Sequence, residues 1–325
     1  MGRTNPICQL EPPAVAPNQD LRPGAQCSRP WPRAWTLVSL ACCLWLLGGL
    51  ALGCGKAKSR LPDLRQEAVK LNDEGYQYYR ESRWRLARHK FNQSLNLNRL
   101  IDHRPGIAAN LNNLGAIAQE EGNLAEAAAF YDEALTIQRE IGNPSGLCEA
   151  LNNLGTVYVG LGRWSEAENL FLEALGYARQ LPPGPLLALT LTHQGDIARH
   201  NQDYVLALNL YREALKIDHA KKNRAGMAVR WARLGRTYLA LADYISARRF
   251  FLIALAEFRR LQMTTGVIDA LDGLTTLALA QDNRYEAELY GERLLEIYRV
   301  RGQTQDAKRL KEILTPGKPK KSIER

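Results

Sequence analysis

An all-α solenoid of about six stacked helical hairpins is the architecture this sequence predicts, and two observations carry that expectation. Glycine recurs every 40 residues at Gly75, Gly115, Gly155, Gly195 and Gly235, with Thr275 in the sixth slot. Four residues ahead of each stands a bulky residue: Leu71, Leu111, Leu151, Leu191, Trp231 or Leu271. A second comb of Ala87, Ala127, Ala167, Ala207, Ala247 and Ala287 keeps the same interval, accompanied by Phe91, Tyr131, Phe171, Tyr211 and Phe251. Self-similarity at a fixed period marks stacked units that each pack on their neighbours, not one globular core.

Within one copy, Leu111 to Ala118 and then Leu124 to Ile141 place apolar residues three and four apart, the helical period. Each unit is therefore two helices. Gly122 and Gly162, with Ser82, Gln202, Ala242 and Asp282 at the equivalent point, stop the first helix, and so short a connection forces the second to run antiparallel. Gly106, Gly146, Gly226 and Gly266, reinforced by Pro105, Pro144 and the run from Pro182 to Pro185, read as the reversal after the second helix. A glycine or alanine at the closest approach lets two backbones come together, and an aromatic opposite fills the widened space. All these period-matched residues are packing positions.

The order of a bulky residue, Leu-Gly, an aromatic or alanine, then Ala-aromatic-Ala resembles the tetratricopeptide repeat family. Leu151, Leu154, Gly155, Tyr158, Gly162, Ala167, Phe171 and Ala174 show it best. The period and the phrase Leu-Asn-Asn-Leu-Gly resemble the longer-helix subclass found in kinesin light chains, spindle-orientation scaffolds and bacterial peptide-sensing regulators. The resemblance covers residues 67–301 and implies a right-handed solenoid; beyond it, 302–315 read as a capping helix and 316–325, with Lys318, Lys320 and Lys321 beside Pro316 and Pro319, as a basic disordered tail. Copy one departs at Glu74 and Ser94, and copy six at Gly291 and Tyr285, as terminal copies do when they cap a stack.

The chain of 325 residues carries a formal net charge of +9, spread evenly, with no arginine-rich helix and no interleaved aromatic and basic motif. Nucleic acid is not an expected partner. Five of the six cysteines precede residue 55, leaving Cys148 alone in the repeats, so no disulfide framework is expected. Residues 1–33 hold seven prolines without apolar periodicity and read as a disordered leader whose true start could lie downstream of Met1. Residues 34–53 are uncharged and rich in Leu and Trp, flanked by Arg29 and Arg33 before and Lys56, Lys58 and Arg60 after, a membrane-targeting pattern. The phrase Leu50-Ala-Leu-Gly-Cys54 resembles a bacterial lipoprotein cleavage box, which implies acylation at Cys54; an uncleaved signal anchor is the alternative. Residues 55–66 read as a linker.

No catalytic constellation is legible, and neither a metal nor a cofactor is expected. His193 and Asp196 share a helical face but are too few for a metal site. Glu126, Glu133, Glu166 and Glu173 fall at surface spacing. What remains is the groove lined by the first helix of each unit. Asn72, Asn112 and Asn152 occupy one repeat position, and Asn113, Asn153, His193 and Arg233 the next. An amide offers donor and acceptor together, which suits the backbone of an extended peptide, and the resemblance implies that such asparagines hold peptide ligands. Hydrogen bonding between helices inside the stack is the other use for them. Arg199, Arg230, Arg233 and Arg236 make one end of the groove basic, suited to an acidic or carboxylate-terminated partner, with Gln119 and Glu120 toward the other. The expected function is a non-enzymatic, membrane-tethered scaffold that binds a protein or extended peptide, by analogy in the bacterial cell envelope on its periplasmic side. A peptide-responsive regulator is the second expectation.

Overall fold

The computed structural model describes residues 63–315, which form thirteen α-helices and no strand. Six are first helices of a hairpin: α1 Leu64–Arg80, α3 Arg104–Glu120, α5 Pro144–Gly160, α7 Pro185–His200, α9 Arg224–Ala240 and α11 Thr264–Ala280. Their partners are α2 Trp84–Leu100, α4 Leu124–Ile141, α6 Trp164–Ala178, α8 Tyr204–Ala220, α10 Tyr244–Arg260 and α12 Arg284–Val300, and α13 Thr304–Leu314 follows. The result is an all-α repeat solenoid. Residues 64–66, expected to end a linker, belong to α1. The leader, the apolar segment with Cys54 and the basic tail lie outside the described residues.

Each comb has a contact behind it. The aromatic of the second helix lies flat against the glycine of the first: a Cβ built on Gly75, Gly115, Gly155, Gly195 or Gly235 would sit 2.4 to 2.8 Å from a ring atom of Phe91, Tyr131, Phe171, Tyr211 or Phe251. The hairpin turns are closed by left-handed residues at Ser82, Gly122, Gly162, Gln202, Ala242 and Asp282. At Gly122 the wrapped backbone bonds are explicit, with the Asn123 N–H donating to the Ala118 carbonyl at 2.8 Å and the Gly122 N–H to Gln119 at 3.0 Å.

The second glycine comb has a different role from the one its spacing suggested. Reversal between units is made at Asp102, Gly142, Lys222, Gln262 and Gly302, which take the positive φ. Gly106, Gly146, Gly226 and Gly266 lie instead inside the first turns of α3, α5, α9 and α11. There they admit the side chain at the end of the preceding helix, since a Cβ would fall 2.5, 2.2, 2.5 and 2.3 Å from Asn98, Gln138, Asp218 and Phe258 respectively. The fourth unit shows the rule by inversion. Leu186 stands in the glycine slot and Ala178 in the large slot, both buried in one cluster, so the volume is exchanged across the same contact.

Terminal copies are altered where the neighbour among the described residues is absent or different. Glu74 occupies the position held by the buried Leu114, Leu154, Leu234 and Leu274 in later copies; it is half-exposed and paired with Lys90 at 2.6 Å. Ser94 fits an alanine slot because its hydroxyl donates to the Ala68 carbonyl at 2.7 Å. Gly291 replaces the aromatic of copy six, and Leu314 of α13 fills the space beside it.

Candidate functional site

Successive first helices pack directly on one another, α3 on α5, α5 on α7, α7 on α9 and α9 on α11, whereas no two successive second helices share more than marginal contact. The first helices therefore hold the inner side of the stack, and their non-core residues are the candidate site. The structure divides the proposed ladder into engaged and available residues.

Asn72 is engaged. Its Oδ1 accepts from Asn113 Nδ2 at 2.9 Å and Asn110 Nδ2 at 3.1 Å, tying α1 to α3, and Asn110 Oδ1 in turn accepts from Asn98 Nδ2 at 2.7 Å. Asn152 lies within the stack, 1% exposed, donating to Thr190 Oγ1 of α7 at 2.8 Å. Its side chain joins two helices and has no access to a ligand along the groove. Cys148 shares this contact at 3.4 Å from Thr190 Oγ1, and burial pushes its thiol up to about 11, so it is an inert packing group. Asn152→Ala is therefore expected to lower stability by about 1–2 kcal/mol, because Thr190 loses a buried partner; urea unfolding of the full-length chain reads it.

The arginine end is not the free basic surface that its place along the groove suggested. Arg233 Nε sits 3.0 Å from an Asp196 carboxylate oxygen and its Nη1 is 3.6 Å from Asp269, so one buried guanidinium of α9 bridges α7 and α11. Arg236 pairs with Asp269 and, at 3.2 Å, with Asp272. Arg230 and Asp218 approach to 3.2 Å with both side chains almost fully buried. Carboxylates neutralise these arginines within the stack, which leaves an acidic partner little net field to meet. Burial alone would raise the Asp196 carboxyl, but Arg233 and Arg199 hold it below its ordinary range. Asp218 is the opposite case: burial raises it despite Arg230.

His193 is buried and stacked on Phe171, ring centroids 4.7 Å apart and 10° from parallel. Burial depresses its pKa to about 4, with Asp196 opposing and Arg230 and Arg233 reinforcing. It is a neutral core residue at neutral pH. Since the folded pKa lies below the ordinary 6.5, the neutral ring stabilises the fold fully above 6.5, and that contribution is lost as pH falls toward 4. His193→Gln is expected to flatten the pH dependence of the urea midpoint across that window.

The available residues cluster on α3, α5 and α7. Asn112 is half-buried, and its Oδ1 is shielded yet meets no hydrogen-bond donor among the described residues. Asn153 is half-buried beside it in the ladder, and Asn113 keeps its carbonyl oxygen for another donor. Arg199 is half-buried with Nε unsatisfied. Glu149, which sequence reasoning did not single out, shares this face; burial raises its carboxyl. Asp269 and Asp272 were missed too. Their signal was present as opposite charges 33 to 36 residues apart, just under one period, which places them on facing turns of successive first helices.

Among the described residues no group of His, Cys, Asp and Glu is arranged to hold a metal ion, and no helix is long and apolar enough to cross a membrane. Glu126, Glu133, Glu166 and Glu173 are surface residues that pair with Arg88, Arg99, Arg163 and Arg139.

Residues 66–140 and 146–220 match the tetratricopeptide repeat family. Over these two stretches the chain carries tetratricopeptide repeats. Among solved structures, the apo form of RapI superposes with a TM-score of 0.63 at 16% identity, covering 74% of this chain and 86% of that one. A Rap protein complexed with competence and sporulation factor gives 0.57 at 14% identity, with 76% and 74% covered. PilW, a widely conserved type IV pilus biogenesis factor, gives 0.53 at 20% identity, with 77% and 99% covered. At these identities the likeness is one of fold. No curated protein sequence matches the chain.

Proposed function

We propose that this tetratricopeptide repeat protein is a non-catalytic scaffold that binds an extended segment of a protein partner along α3, α5 and α7. The observation that carries the reading is the shielded, donor-less Asn112 Oδ1 in line with the half-buried Asn153. An acceptor removed from water without a donor is costly unless something brings one, and a peptide backbone N–H is such a donor. Arg199 at one end and Glu149 within the run give the partner a polarity, so it should be recognised by backbone with one acidic group near Arg199. The solved Rap protein in complex with competence and sporulation factor supports a ligand-holding use of this fold.

The apolar run 34–53 and the box ending in Cys54 support a tether to a bacterial membrane with the repeats on its extracytoplasmic side, and fold likeness to a pilus biogenesis factor supports cell-envelope assembly as the setting. A peptide-responsive regulator is the second reading, favoured by the likeness to Rap proteins. The test is affinity capture from membranes with the full-length chain, followed by titration of the captured partner's peptide. Asn112→Ala with Asn153→Ala should weaken that binding by about 10-fold while leaving the urea midpoint unchanged. Loss of binding and fold together would return both asparagines to the stack.

A further inference from the structure

We infer that the outer face of α8, α10 and α12 is a self-complementary surface that pairs two copies of this chain. The face is unusual first in its apolar content. At one repeat position, Arg85, Ala125 and Ser165 in the first three units give way to Val205, Ile245 and Tyr285, which are 70%, 86% and 76% exposed. On the central helix α10, Leu252 and Ile253 are also exposed, and a depression of about 250 Å³ opens beside Ile245 between Leu252 and Gln281. Three aligned units presenting large apolar side chains to solvent need a cover.

The charges say which one. Successive second helices run in the same direction, so residues one period apart stand at the same height on neighbouring helices. At three heights on the exposed face, α8 carries Arg212, Glu213 and Lys216, whereas α12 carries Glu292, Arg293 and Glu296. The sign reverses at every one. Between them, α10 presents Leu252, Ile253 and Ala256, all uncharged. Over these three heights the pattern is antisymmetric about α10, as a two-fold axis along that helix requires, because such an axis lays the α8 of one copy over the α12 of the other at equal height. Arg212 then meets Glu292, Glu213 meets Arg293, Lys216 meets Glu296, and the small Val205 meets the large Tyr285. Ile245, Leu252 and Ile253 each meet their own counterparts. Arg212 is already oriented, its Nη2 donating to the Tyr238 hydroxyl at 2.7 Å. Arg249, Arg259 and Arg260 of α10 are exposed as well and would each face their own counterparts; removing that repulsion with Arg249→Leu and Arg259→Leu should tighten the pair. The grooves on the inner side stay open in such a dimer.

Sedimentation velocity of the full-length chain over a range of concentrations tests this with a charge-swap cycle. Arg212→Glu with Lys216→Glu in one chain, or Glu292→Lys with Glu296→Lys in another, should each weaken self-association by about 100-fold, since four attractive contacts become repulsive. Mixed together, the two variants should form a heterodimer as tight as the wild type, because each supplies the sign the other now lacks. Unchanged thermal unfolding would confine the effect to the surface. A wild-type chain that stays monomeric, variants that associate as well as wild type, or a mixture that fails to recover would each overturn the proposal.

Discussion

Replacing Arg233 with methionine is expected to destabilise the fold by about 4 kcal/mol, because removing one member of a buried ion network leaves its partners charged and unpaired. Arg233 is 6% exposed and bridges Asp196 on α7 and Asp269 on α11. Burial disfavours its charge, but the two carboxylates overcome that and raise its pKa above the ordinary value. Without it, Asp196 keeps the Tyr211 hydroxyl at 2.8 Å and the charge of Arg199, and Asp269 keeps Arg236. Urea unfolding of the full-length chain would measure the loss. Asp196→Asn and Asp269→Asn in the same chain should recover most of it, since the network's net worth is small once no charge is stranded. By contrast, Arg139→Met removes an exposed contact to Glu173 on the outer side and should cost under about 1 kcal/mol. A cost for Arg233→Met as small as that would mean the bridge is solvated and the groove end is basic after all.

Arg233 also shows where sequence reasoning about the site stopped. Its position in the ladder was legible, since the period alone assigns it to the inner face. Its partners were not, because an ion pair across two units depends on how far each first helix is rotated and displaced against the next. The repeat fixes that relation only to within a turn. The same limit divided the asparagines. Asn112 and Asn152 are indistinguishable in the sequence, both opening the phrase Asn-Asn-Leu-Gly, yet Asn152 donates to Thr190 Oγ1 on α7 and is held inside the stack, and no equivalent acceptor among the described residues holds Asn112. The deciding residue lay in a different unit.

The fold was legible because its signal is redundant. Six copies of one packing problem average out individual deviations, and deviations themselves became informative once contacts were known. Glu74 marks a face that no earlier unit among the described residues covers, and Ala178 with Leu186 records a volume moved from one helix to its neighbour. The second glycine comb misled for a specific reason. Glycine serves both turns and close approaches, and spacing cannot separate the two uses when the turn residue lies four positions away, as Asp102 and Lys222 lie from Gly106 and Gly226.

The first glycine comb leads to the second large effect. Gly155→Leu should cost about 3 kcal/mol, since even the first side-chain atom would stand 2.4 Å from the Phe171 ring. The ring has nowhere to go: Phe171 is 1% exposed and packed with Ala167 and Ile197 of the next unit. Relief therefore requires α5 and α6 to separate, which also loosens their contacts to α4 and α7. In a stack where stability is shared between neighbours, the damage should spread outward from the third unit, and hydrogen exchange should show α5 to α7 losing protection before α11 and α12. Gly155→Ala with Phe171→Leu exchanges volume across the contact, as Ala178 and Leu186 do, and should recover a large part of the loss seen for Gly155→Ala alone. If Gly155→Leu melts like the wild type, the ring and the helix backbone are not in contact, and close packing is not what makes glycine recur at every unit.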